Sequence, residues 1–208
     1  MVQAFIYGAI LAFGLIIPLG VQNIFIFNQG AAQKRFLHAL PSVFAASACD
    51  ALLIMLAVLG VSVAVLSLAW LKTTIFIIGF FFLLYMGWVT WRSKPTCLED
   101  NQKPLSAKRQ IGFAASVSLL NPHAIMDTIG VIGTNALNFA GQARWAYTLS
   151  CIFISCCWFF GLAMMGHTLR KIDPAGKWLI VVNKVSALII WSVAGYIGLQ
   201  LLHESGAW

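Results

Sequence analysis

Two carboxylates, Asp50 and Asp127, interrupt otherwise apolar stretches of this chain. On insertion scales an acid at the centre of a membrane helix costs roughly 2.5–3.5 kcal/mol. Such residues face a cavity or a partner, and they carry a functional expectation. Burial disfavours the charged form of a carboxyl group. A buried acid can therefore hold a proton until a cation takes its place. That is the chemistry a proton-coupled carrier of cationic solutes needs. The competing reading is an Asp bonded to Ser or Asn of a neighbouring helix.

Two proline-containing, amide-bearing runs accompany the acids. Leu15-Ile16-Ile17-Pro18-Leu19-Gly20-Val21-Gln22-Asn23 sets Pro18 and Gly20 beside Gln22 and Asn23. Leu119-Leu120-Asn121-Pro122-His123 is the second. Proline removes a backbone donor and disrupts the preceding turn. A freed carbonyl in lipid is expensive unless protein or water satisfies it. Freed groups, and the partial charges of half-helix ends, can coordinate a substrate instead. A plain proline kink explains one such run; two at matching positions point to a binding role for Gln22, Asn23 and Asn121. His123 follows the break and either relays protons or makes an ordinary hydrogen bond.

These residues need a membrane around them. Of 208 residues, 61% are hydrophobic and 9% charged, against about 25% charged in soluble domains. Six apolar stretches reach the roughly 20 residues that cross a bilayer as a helix: Ala4–Phe27, Leu37–Leu66, Thr73–Trp91, Ile111–Asn135, Trp145–Leu169 and Trp178–Leu202. They lack the two-residue alternation of barrel strands. The expected fold is all-α integral membrane, one transmembrane domain over 1–208. With no positive n-region before Lys34, the first stretch reads as a retained helix rather than a signal peptide.

The net charge of +7 falls in loops, so it orients the chain and implies no nucleic-acid partner. Lys34 and Arg35 follow the first stretch. Arg92, Lys94, Lys103, Lys108 and Arg109 follow the third, and Arg170, Lys171 and Lys177 the fifth. The opposite loops hold Lys72 and Arg144. Basic loops stay cytoplasmic, which places both termini outside. Trp70, Trp88, Trp91, Trp145 and Trp178 lie near stretch ends, at headgroup level. Lys184 reads as snorkelling to the inner surface, or less simply as a charge partner for an acid. His38, His167 and His203 read as interfacial.

The halves resemble each other at an offset of 104 residues. Gly8 and Pro18 match Gly112 and Pro122, and Asn23 falls opposite Asp127. Three helices per half require the second half to be inverted, as in many secondary transporters with interrupted helices. The expected repeats are about 1–92 and about 110–208, with helices one and four interrupted at Pro18 and Pro122.

No phosphate-binding loop, H-E-x-x-H motif or Cys/His metal cluster is present. No resident metal or cofactor is expected, and gradient-driven transport remains rather than an enzyme. The five cysteines, Cys49, Cys97, Cys151, Cys156 and Cys157, include no C-x-x-C pair and read as small buried hydrophobes. No G-x-x-x-G motif occurs, which leaves a homo-oligomer open.

The motifs resemble those of the lysine/arginine exporter (LysE/ArgO) family. Ile17-Pro18-Leu19-Gly20-Val21-Gln22-Asn23 with Asn28-Gln29-Gly30 is similar to its first-helix signature. Ser47-Ala48-Cys49-Asp50 is similar to its second-helix acidic site. Leu120-Asn121-Pro122-His123-Ala124-Ile125-Met126-Asp127-Thr128 and Trp158-Phe159-Phe160-Gly161-Leu162-Ala163 are similar to its fourth- and fifth-helix signatures. The resemblance implies export of L-lysine, L-arginine or analogues, coupled to protons, in a bacterial inner membrane. Val21 stands where many relatives carry proline. The alternatives are an exporter of another solute (a neutral amino acid or a metal cation), a passive channel, and a membrane thiol oxidoreductase. The last resembles families with reactive cysteines in helices one and four, where this chain has Pro18 and Pro122.

Overall fold

Proline and glycine punctuate the apolar stretches, and helices start and stop around them. The computed structural model describes residues 1–17, 20–60, 69–93, 105–173 and 177–204. All regular structure among these residues is helical. In chain order, α1 is Val2–Ile16, α2 Val21–Ala32, α3 Leu40–Val58 and α4 Ala69–Arg92. Then come α5 (Ala107–Leu119), α6 (Pro122–Asp127), a π-helical turn at Thr128–Gly133, and α7 (Thr134–Ala136). The chain ends in α8 (Gly141–Ile172) and α9 (Lys177–Glu204).

Among the described residues, three helices are long and apolar enough to cross a bilayer unaided: Leu40–Val58, Gly141–Ile172 and Lys177–Leu199 within α9. α1 and α2, bent by 81° to each other, make a fourth when taken together. The expected first stretch, Ala4–Phe27, is thus two helices. Gly20, in extended conformation, caps α2; Pro18 lies outside the described residues. The fourth stretch, Ile111–Asn135, is also divided. Asn121 is extended, and Pro122 opens α6, where its missing N–H is no loss because first-turn donors lack an intrahelical acceptor. The second stretch was expected from Leu37. Residues Phe36–His38 instead form a 3-10 turn, and α3 begins at Leu40 with Pro41 in its first turn. Its expected end at Leu66 lies outside the described residues.

α1 and α2 both pack along α8, α3 packs on α5 and α8, and α4 pairs with α9. Lipid tails are as apolar as leucine, so association in a bilayer rests on close packing by small residues. The α2–α8 crossing illustrates this. A Cβ on Gly30 would strike the backbone of Ala163, and one on Gly166 would strike the Phe27 carbonyl. Arg170 Nη1 of α8 donates to the Ala32 carbonyl at 3.2 Å, satisfying the last turn of α2. Arg144 does the same for Val58 at the end of α3. Large apolar side chains such as Phe81, Tyr85, Phe153 and Met164 point outward, as a lipid-facing surface requires. Near the end of α4, the Arg92 guanidinium lies 4.3 Å from the Trp88 ring. Lys184 Nζ is 5.5 Å from the Trp91 ring, an aromatic resting place for a long basic side chain.

Candidate functional site

The two divided segments bring four helix ends together. α1 finishes where α2 begins, and α5 finishes where α6 begins. The end of α1, the start of α2 and the start of α6 border a cavity of ≈ 170 Å³, room on the order of ten waters. α3, α4, α8 and α9 complete its wall through Ile54, Leu83, Phe159 and Ile190, among others. Asp50, Asp127, Gln22, Asn23, Asn121 and Gly20 all line it. No Lys or Arg does so among the described residues.

Asp50 is held from two sides. Gln22 Nε2 of α2 donates to its Oδ1 at 3.0 Å, and Ser155 Oγ of α8 donates to its Oδ2 at 2.7 Å. Donors to both oxygens fix the carboxyl group in one orientation. Asn23 Nδ2 donates to the Ile16 carbonyl at 2.7 Å. One side chain from the first turn of α2 thereby satisfies the open end of α1. The amide N–H groups that begin α2 have no intrahelical acceptor, and the same turn lines the cavity. Asn121 is buried, and its Oδ1 has no hydrogen-bond partner among the described residues. Asp127 ends α6 and Thr128 opens the π-helical turn; both face the same space.

Six of the residues singled out from sequence therefore share one cavity. Pro122 is fully buried, and its ring fills the space that a Cβ on Gly79 of α4 would need. Pro18 and the His123 side chain lie outside the described residues. Ser155 escaped the sequence reading, and Thr128 entered it only as the last residue of the fourth-helix signature. A signal for Ser155 existed: Cys151, Ser155 and Phe159 recur every four residues on one helix face, and all three line the cavity. Cys49, Cys151, Cys156 and Cys157 are free thiols; Cys97 lies outside the described residues.

Comparison with known proteins shows the family. The chain is 52% identical over 199 residues to a Bacillus subtilis (strain 168) protein named "Putative amino-acid transporter YisU", covering 96% of this chain and 90% of that one. It is 31% identical to the arginine exporter protein ArgO of Pectobacterium carotovorum subsp. carotovorum (strain PC1), covering 93% and 96% respectively. Identity to the arginine exporter protein ArgO of Enterobacter sp. (strain 638) is 28%, over 98% and 97%. No solved structure matches significantly. The family model described as LysE type translocator matches residues 13–203, and the chain belongs to that family of membrane translocators.

Proposed function

We propose that this protein is a secondary exporter of basic amino acids, L-lysine, L-arginine or their analogues, driven by the proton gradient across a bacterial inner membrane. The carrying observation is that Asp50 and Asp127 line one cavity beside two pairs of opposed helix ends, with no Lys or Arg among its described lining residues. A site of this sign favours cations. The amino-terminal end of α2 offers partial positive charge to a carboxylate. The unpartnered Asn121 Oδ1 suits an ammonium group. An amino acid carries both. The acids then take a proton or the cationic side chain in alternation, and Gln22, Asn23 and Asn121 hold the head group.

The architecture in this reading is one domain of six spans over 1–208, with inverted repeats over about 1–92 and 110–208. Element positions support it. α1 and α5 stand about 104 residues apart, as do α3 and α8. Packing is exchanged accordingly: α1 lies on α8, and its counterpart α5 lies on α3. Rocking of one half against the other would open the cavity to each side in turn. Both termini lie outside in this arrangement.

The test is efflux of labelled lysine and arginine from loaded cells. Wild type should move at least one of them uphill while the proton gradient lasts. Asp127→Asn should insert normally and export neither. Full export by that variant would sink the assignment of the acid. A neutral amino acid is the second reading, favoured by the apolar wall of Leu15, Ile54, Leu83, Ile132 and Val193. Labelled leucine in the same assay separates the two.

A further inference from the structure

One wall of the cavity is held by side chains to which this mechanism gives no part. π-helical turns are rare and occur frequently at functional sites. Here one follows Asp127 directly, at Thr128–Gly133. Side chains claim its carbonyls one by one. Thr134 Oγ1 donates to Gly130 O at 2.5 Å, Asn135 Nδ2 to Val131 O at 2.8 Å, and Tyr147 Oη to Ile132 O at 3.0 Å. Asn135 Oδ1 in turn accepts from Tyr7 Oη of α1 at 2.7 Å. Tyr147 comes from α8, is fully buried, and stacks on Phe139 with ring centroids 5.2 Å apart. On the far side, a Cβ on Gly133 would lie 3.1 Å from the Ala57 carbonyl. The turn is clamped between α8 and α3, the helix that carries Asp50.

We propose that Tyr147 is a positioning residue: its hydroxyl fixes the π register, and that register aims Asp127 and Thr128 into the cavity. The proposal rests on the reading of Asp127 as a substrate-binding acid. An α-helix advances about 100° per residue. Relaxing the turn to α geometry shifts the register by one residue, so α6 rotates by about that angle relative to α7. Asp127 then leaves the cavity wall. The Tyr147 hydroxyl, reaching across from α8, ties the Ile132 carbonyl within the turn to a second helix. Asn135, tied to α1 through Tyr7, adds a second anchor.

Tyr147→Phe keeps the ring and removes the donor. Its effect is read at Thr128→Cys in a chain whose five native cysteines are serine, using a water-soluble methanethiosulfonate reagent on detergent-solubilised protein. The labelling rate should fall at least tenfold when Tyr147→Phe is added. In cells, the same substitution in the native chain should raise the KM for efflux at unchanged protein level. Equal labelling rates overturn the register argument. A lower rate with an unchanged KM overturns the link to binding. If Tyr147→Phe does not accumulate, Asn135→Leu is labelled instead, and equal rates again count against the proposal. Labelling needs no transport, so a normally exporting Asp127→Asn, which would remove the binding assignment, is scored separately.

Discussion

Asp50 accepts from two side chains, so replacing its carboxyl disturbs both contacts. In Asp50→Asn the side chain keeps one acceptor oxygen, while Gln22 Nε2 and Ser155 Oγ still point at it. Transport should be lost in efflux assays with membrane insertion intact. Ser155→Ala is milder. It removes one hydrogen bond to the Asp50 carboxyl, worth about 0.5–1.5 kcal/mol, so the KM for efflux should rise about two- to tenfold. An unchanged KM would show that Ser155 does not shape the site. Serine at all five cysteine positions should leave export intact, because a serine hydroxyl can keep the bond that the Cys151 thiol makes to the Gly8 carbonyl at 3.5 Å. Loss of export there would revive the thiol-chemistry alternative. Asp50, Asp127, Gln22, Asn23 and Asn121 were visible in sequence because acids and amides stand out in apolar runs. Ser155 was not, because a membrane serine or threonine usually satisfies itself on the preceding turn. Ser118 bonds Ala114 O, Thr148 bonds Arg144 O and Ser192 bonds Leu188 O in this way. A hydroxyl that reaches across to another helix looks the same in the sequence.

At the scale of elements, the apolar runs located the helices but not their joints. Pro122 and Asn121 marked a division that the structure has between α5 and α6. The π-helical turn left no trace, since one residue of extra register alters no composition or hydrophobic period. The start of α3 was placed three residues early because Leu37 is as apolar as the residues beyond Pro41. The glycine crossing of α2 and α8 gives the sharpest stability test. Gly166→Leu forces a side chain against the Phe27 carbonyl, and overpacking costs about 1–3 kcal/mol or more. Thermal unfolding in detergent should fall by several degrees. Gly161→Ala on the same helix meets nothing within 4 Å, and it should melt like wild type.

For the molecule as a whole, the proposed orientation rests on the basic loops. A carboxy-terminal alkaline phosphatase fusion should be active, and a green fluorescent protein fusion at the same point should stay dark. The opposite pattern would invert the orientation and place the Lys34–Arg35 loop outside. The motion that the proposed transport cycle requires is also constrained by how α2 is fastened. Its far end is pinned by Arg170 on the Ala32 carbonyl and by the glycine crossing with α8. Its near end, at Gln22 and Asn23, is held by side-chain bonds to Asp50 and Ile16. With 12 residues at about 1.5 Å each, α2 is a lever about 18 Å long with its fulcrum at the basic-loop end. A tilt of about 10° about that fulcrum would sweep its tip by about 3 Å, on the scale of one hydrogen bond. The exchange of one bonding partner for another at the tip is therefore within reach of a swing that leaves the fulcrum's contacts in place.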